Sequence, residues 1–584
     1  MKREPQTPEP RATGLFVVFC ILNRLERFMM TTFSSHNRSD IINHFKQEKL
    51  DVLVIGGGIT GAGIALDSVT RGLETGVVEM QDFAAGTSSR STKLVHGGLR
   101  YLQQFQIKLV AEVGKERAIV YENGPHVTTP EWMMLPFHKG GTFGPFTTNI
   151  GLRVYDFLAG VKKSERRKMF SPQEALQKEP LIQEKGLKGA GYYVEYKTDD
   201  ARLTIEVMKK AVEKGAHALN YSKAVDLLYD QSGKVCGAKI KDEITGETYD
   251  VYAKKVISAS GIWLDDLREK DGSKQGKKLH LTKGIHLVFS KNTFPLEQAI
   301  YFDTPDGRMI FSIPRGNKTY VGTTDTYYEG DRFAPKPTIE DRDYILKSID
   351  YMFPSLNIKP GDIESSWAGV RALFSEGDGE KPGEISRKDE IFVSDSGLIS
   401  IAGGKLTGYR KMAEDAVDTV VKQLKEEEEI LYSSSITKNL PISGGDVGGS
   451  KGFEQFKKEQ LNRASSLEIP EETAQKLINM YGGNVGILFE IYINHKKEAE
   501  QEGIDPFVLA ELIYGMEYEL VYKPVDFFVR RTGALFFDIN WVKDNKADVI
   551  NYMAKSLKWN EAKKNQYNEE LESALKTAQV DQLD

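Results

Sequence analysis

Apolar residues in this chain gather in short runs that stop at glycine. Asp51 to Ile55 reads DVLVI, which is too short for a helix and rich in β-branched residues, so it predicts a strand buried on both faces. The run enters Gly56-Gly57-Gly58-Ile59-Thr60-Gly61, and an apolar stretch from Ala62 to Leu66 carries on as a helix. Thr75 to Glu79 (TGVVE) predicts the next strand. Leu398 to Ala402 (LISIA) repeats the plan: a buried strand, then Gly403-Gly404, then a helical pattern from Thr407 to Val421. Strand-like residues fill Ile300 to Pro314 and Thr319 to Thr323. Past the acidic run Glu426 to Glu429 the period turns helical, with helices predicted at Thr473–Met480, Pro506–Tyr518, Trp541–Lys555 and Trp559–Leu575.

The first glycine turn carries the clearest chemistry. In G-x-G-x-x-G, Gly56 permits the tight turn, Gly58 lets a pyrophosphate approach the backbone, and Gly61 lets the helix pack close to the strand. The helix start, including Ile59 and Thr60, presents N–H groups and a positive dipole end to phosphate. Glu79, 18 residues beyond Gly61, stands where an acid accepts a hydrogen bond from a ribose hydroxyl. The unit predicts a dinucleotide site without saying which dinucleotide.

Composition adds boundaries. A chain of 584 residues has room for two to four domains at about 150 residues each. A net charge of −6 gives no nucleic-acid footprint, and no nucleic-acid partner is expected. The two cysteines, Cys20 and Cys236, fit neither a disulfide scaffold nor a metal spacing, and no metal site is expected. Gly14 to Leu22 is an apolar run of nine residues, where a membrane-spanning helix needs about 20. Residues 1–47 are expected to be a disordered extension. Phe143, Phe146, Ile150, Val154 and Phe157 lie close to Lys162, Lys163, Arg166, Arg167 and Lys168, a mixture suited either to an anionic membrane surface or to a core helix beside a solvated loop.

Gln81 to Leu102 reads QDFAAGTSSRSTKLVHGGLRYL, and its second half resembles the signature of FAD-dependent, quinone-linked glycerol-3-phosphate dehydrogenases. TDDARL at Thr198–Leu203, VISASGIW at Val256–Trp263, GTTDT at Gly322–Thr326, GVRAL at Gly369–Leu373 and IAGGKLTGYR at Ile401–Arg410 agree with that family in order and spacing. Ser260 and Ile262 depart from it, standing where the family often has Thr and Pro. Related oxidases carry an insertion before the GVR-like stretch, and the 42 residues between Thr326 and Gly369 leave no room for it. The resemblance implies an α/β fold: a Rossmann-like FAD-binding domain of the D-amino-acid-oxidase type (48–125, 195–285 and 365–430), an antiparallel-sheet substrate or cap domain (126–194 and 286–364) and a C-terminal, mainly helical domain (431–584).

It also implies FAD as cofactor, with Thr87, Ser88, Ser89, Ser91, Lys93, Gly97, Gly98, Leu99, Gly261, Trp263, Gly403, Gly404, Lys405, Leu406 and Thr407 joining the glycine turn around it. Glycerol 3-phosphate would need arginine forks for its phosphate, for which Arg100, Arg371 and Arg387 are candidates, with Tyr101 as a hydroxyl donor. A base must take the C2 hydroxyl proton, and histidine suits that best. His96 is the first candidate and His286 the second. Lys405 would offset negative charge on the reduced flavin. The implied acceptor is a membrane quinone, and the implied location is cytoplasmic, on the inner face of the cell membrane. A homodimer is compatible with the helical last third. Two alternatives stay open: an amine or amino-acid oxidase of the same fold, and a flavin-binding sensor without turnover.

Overall fold

The computed structural model describes residues 33–96, 107–158, 161, 165–375 and 389–580. The DVLVI run forms the strand Leu50–Ile55, parallel to Thr75–Val78 on one side and Thr248–Ser258 on the other. The full order is Glu390–Val393, Ile399–Ala402, Thr248–Ser258, Leu50–Ile55, Thr75–Val78 and His217–Leu219. A hairpin, Ser222–Tyr229 and Val235–Asp242, extends from Thr248–Ser258. Val52, Leu53 and Val54 are fully buried, because the sheet is covered by helices. Ile59–Thr70 packs between Asp200–Glu213 and Tyr409–Glu428. Gly63 makes that packing close: a Cβ there would lie 3.0 Å from Tyr409 and 3.1 Å from Ala413.

A second, largely antiparallel sheet stands beside the first. Its order is Thr326–Tyr327, Lys278–Ser290, Lys318–Gly322, Met309–Arg315, Ala299–Asp303, Thr128–His138, Leu187–Thr198 and Leu94–Val95. Ile363–Ser375 pairs along almost the whole of Lys278–Ser290. Two expected boundaries therefore move. Residues 278–285 and 365–375, assigned to the cofactor domain by sequence, lie in these two strands and belong to the second sheet.

Residues 1–32 of the expected disordered extension lie outside the described residues, and the expectation fails for 33–47. From Phe33 the chain belongs to the fold: Phe33, Ile41 and Phe45 are buried, and Arg38–Gln47 is a helix. Arg38 donates to Asn220 at 2.6 Å and to Asp242 at 3.0 Å. The last third is helical as expected. Pro506–Tyr518 forms at its predicted bounds, and Gly449–Ser466 and Val485–Glu502 are further helices there.

Buried ions join this helical region to the first sheet. A π-helical turn, Asp526–Arg531, presents two consecutive arginines to Asp82, three residues beyond Glu79. Arg530 Nε donates to Asp82 Oδ2 at 2.5 Å, and Arg531 donates to both its oxygens at 2.8 and 2.9 Å. Burial alone would raise the Asp82 carboxyl, but Arg531 and Arg530 outweigh it and hold it down at about 2. Glu519 similarly receives Arg202 and Lys209. Breaking such a pair leaves an uncompensated buried charge. Arg531→Leu should therefore cost about 3–5 kcal/mol in denaturant unfolding and lower the FAD content of the purified protein. An unchanged midpoint with full FAD content would refute the role given to this clamp.

Candidate active site

The glycine turn leaves no space for side chains on its inner side. A Cβ on Gly61 would lie 1.8 Å from the Gly56 carbonyl oxygen, and Gly56, at φ +117°, would bring one within 2.5 Å of the Ala259 carbonyl oxygen. Helix Ile59–Thr70 starts at Gly58, which has no capping side chain. Ser88, from across the cleft, accepts the Ile59 N–H at 3.0 Å instead. Glu79 accepts from Gly57 N at 2.7 Å and Gln81 N at 2.8 Å, so its carboxylate is fixed at the end of the strand. Burial raises its pKa against those two backbone donors. A backbone-lined helix N-terminus beside a fixed carboxylate fits the pyrophosphate and ribose of a dinucleotide.

This turn opens into a cavity of about 1060 Å³ between the two sheets, large even for a cofactor pocket. Gly56, Gly58, Ile59, Thr60, Glu79, Thr87, Ser88, Ser91, Gly261, Trp263, Gly403, Gly404, Lys405, Leu406 and Thr407 all line it, as do His96 and Arg371. Thr87 is tied to the second sheet through Val370 O at 2.6 Å. Thr407 Oγ1 lies 3.0 Å from the His96 backbone N–H and 3.1 Å from its carbonyl oxygen, so the second glycine element fixes the His96 backbone. The His96 ring meets Phe311 edge-on at 6.1 Å.

Arg371 donates to Thr323 Oγ1 at 2.7 Å, to Thr324 O at 3.1 Å and to Asp325 at 3.2 Å. Its guanidinium occupies the space above Gly284, where a Cβ would lie 2.4 Å from Nη2. The GTTDT and GVRAL motifs and the glycine of Lys283-Gly284-Ile285-His286 thus form one assembly.

Four expected residues do not line the cavity. Gly61 faces the Gly56 carbonyl. Ser89 is buried. Lys93, at φ +57°, is buried and donates to Ser89 O at 3.0 Å and Asp200 Oδ1 at 2.5 Å. Asp200, which itself lines the cavity, also receives the Ser91 backbone and hydroxyl, so Lys93 supports the loop from behind through Asp200. His286 is also behind the wall, stacked on Trp367 at 4.6 Å with Nε2 3.0 Å from Thr92 Oγ1. Burial, then Arg371 and Lys93, push its pKa far below the usual histidine range, and it reaches the cavity only through Thr92. Gly97, Gly98, Leu99, Arg100, Tyr101 and Arg387 lie outside the described residues.

The cavity wall also holds Arg90, Arg308 and Arg332, which sequence did not single out. Arg332 is committed to Asp266 through two contacts of 3.0 and 2.7 Å. Arg90 is lowered to about 10 by burial and by Arg530, so it remains a cation at neutral pH. Its carbonyl oxygen would be 2.2 Å from a Cβ on Gly369. The glycine of GVRAL was the available sign of that close approach.

Known proteins agree with this geometry. Residues 51–410 match the family model described as FAD dependent oxidoreductase, and residues 435–564 match the C-terminal domain of alpha-glycerophosphate oxidase. The chain is 61% identical over 548 residues to the aerobic glycerol-3-phosphate dehydrogenase of Bacillus subtilis, covering 94% of this chain and 98% of that one. It is 56% identical over 547 residues to the protein of the same name from Staphylococcus aureus strain USA300, with the same coverage. The X-ray structure of the glycerol-3-phosphate dehydrogenase from Bacillus halodurans complexed with FAD superposes with a TM-score of 0.83 at 49% identity, over 94% of this chain and 99% of that one. The chain therefore belongs to the FAD-dependent oxidoreductases, within the family of the aerobic glycerol-3-phosphate dehydrogenases.

Proposed function

We propose that the chain oxidises sn-glycerol 3-phosphate to dihydroxyacetone phosphate in the cavity between the two sheets and passes the electrons to a membrane quinone. The observation that carries the reading is the meeting of a dinucleotide turn with His96, Arg371 and Lys405 on one cavity wall. Bound FAD supplies the acceptor for the hydride that leaves C2. The protein must then hold a dianionic phosphate and remove one proton from the C2 hydroxyl.

Arg371 is the phosphate-binding residue in this reading. Its neighbours Thr323, Thr324 and Asp325 fix its orientation in advance, so less order is lost on binding. Arg100, Tyr101 and Arg387 are its proposed partners. His96 is the proposed base, with its backbone fixed by Thr407. His286, neutral and behind Thr92, is the second candidate, acting through that hydroxyl. Lys405 is the cation that offsets negative charge on the reduced cofactor ring. Relatives above half identity bear a dehydrogenase name, which favours this reading over an amino-acid oxidase or a sensor.

The membrane side of the proposal rests on helix Pro145–Leu158. Phe146, Ile150 and Val154 follow one another at four-residue steps and are 76, 49 and 37% exposed. Four-residue spacing puts them on one helix face. Arg153, Arg166 and Lys168 are exposed around it. Among the described residues no helix is long and apolar enough to cross a membrane. An apolar row flanked by cations suits docking on an anionic surface from one side.

Anaerobic stopped-flow reduction tests the site. His96→Ala should retain FAD and reduce it roughly 10²–10⁴-fold more slowly, the span for losing an acid–base group. A normal rate, with the loss appearing instead in His286→Asn, would transfer the role to His286. Arg371→Ala should lower kcat/KM for glycerol 3-phosphate roughly 10- to 100-fold, matching about 1.5–3 kcal/mol for a hydrogen bond to a charged group. An equal loss with unphosphorylated glycerol would exclude a phosphate role. For docking, Phe146→Ser with Ile150→Ser should reduce co-sedimentation with vesicles containing phosphatidylglycerol and leave activity with a soluble dye acceptor intact. Undiminished sedimentation would place the docking surface elsewhere.

A further inference from the structure

Outside the cavity, two histidines and a glutamate converge at one end of the first sheet. His44 comes from helix Arg38–Gln47, Glu74 from the turn before Thr75–Val78, and His217 from the edge strand His217–Leu219. Their ligand atoms all lie within 4.8 Å of one another. His44 Nε2 is 3.3 Å from Glu74 Oε1, and His217 Nε2 is 3.6 Å from the same oxygen. The two imidazoles face each other with centroids 3.6 Å apart and planes 22° apart. None of the three lines the active cavity.

We propose that His44, Glu74 and His217 form a three-ligand site for a divalent transition-metal cation of the zinc class. Two imidazoles and a carboxylate with one outward position is a donor set that Zn²⁺ accepts, at about 2.0–2.2 Å per bond. Both Nε2 atoms face the carboxylate oxygen, the side on which a neutral imidazole keeps its proton beside an acceptor, and a bound cation would replace that proton at Nε2 and leave the ring proton on Nδ1. His44 Nε2 is shut off from solvent and makes no aligned hydrogen bond. Two observations make the site a receptive one. Glu74 is half-exposed and leaves an entry path. The backbone around it is fixed, with Glu74 N donating to Asp51 Oδ2 at 2.9 Å. The rings would have to swing out of their stack for both lone pairs to meet one ion.

A cation here ties helix Arg38–Gln47 to the edge strand His217–Leu219 of the sheet. An ion bound only by the folded chain stabilises it by mass action, and its effect would be on stability while the distant cavity is unchanged. No sequence motif marks the site, because its ligands come from three separate stretches.

The test uses the full FAD-loaded chain stripped with chelator. Zn²⁺ titrated by calorimetry should bind at one high-affinity site per chain and raise the thermal midpoint. Co²⁺ in its place should give the visible absorption of a tetrahedral ion. His44→Ala, His217→Ala and the conservative Glu74→Gln should each weaken that binding at least tenfold and remove the midpoint shift, while flavin reduction by glycerol 3-phosphate stays normal. Zinc binding of the same strength in Glu74→Gln and His217→Ala, or no one-to-one binding to the parent chain, would overturn the proposal. If a histidine variant is unstable before metal is added, Glu74→Gln and the cobalt spectrum decide the matter.

Discussion

The turn from Ile55 to Ile59 admits backbone and nothing else, and the rest of the structure is arranged around that constraint. With Gly61 against the Gly56 carbonyl and Gly56 against Ala259, helix Ile59–Thr70 has one approach to the sheet. Its N-terminus therefore aims into the cleft, and Glu79 and Ser88 close on it from the next strand and loop. Any added Cβ would move the helix away from the sheet and the donors away from the phosphates.

A turn built for close approach has few side chains of its own to hold it, so support comes from elsewhere. Asp82 passes the load to Arg530 and Arg531 of the helical domain, and Asp200 passes it to Lys93 and Ser91. These ions are deeply buried, and their attraction is offset by desolvation. Their contribution is to specify geometry: each carboxylate has one set of donors, and the loop from Glu79 to Lys93 has one position that satisfies them. The helical domain, none of whose described residues lines the cavity, thereby takes part in shaping the cofactor site.

Local features were readable in the sequence, and remote pairings were not. The strand, turn and helix of residues 51–66 depend on neighbouring residues, as do Leu398–Ala402 with Gly403-Gly404 and helix Pro506–Tyr518. The domain boundaries at 285 and 365 failed because strands Lys278–Ser290 and Ile363–Ser375 choose each other across many intervening residues. Lys93 looks like a cofactor contact until Asp200 folds beneath it. His286 is the second candidate base in the sequence, and its enclosure by Trp367 and Thr92 depends on residues far from it in the chain. Phe33 to Phe45 was read as disordered because its helix is short and weakly apolar, while its anchors, Asn220, Asp242 and Val521, lie far along the chain. Nothing near Arg530 and Arg531 in the chain points to their partner, and only the fold reveals it as Asp82.

The measurement that bears most directly on the central claim is the visible flavin spectrum of the purified chain, followed without oxygen as glycerol 3-phosphate is added. The oxidised flavin bands should be present and bleach with substrate, and a quinone analogue should restore them. Bands that persist unchanged in excess glycerol 3-phosphate would contradict the proposed substrate and the roles given to His96 and Arg371.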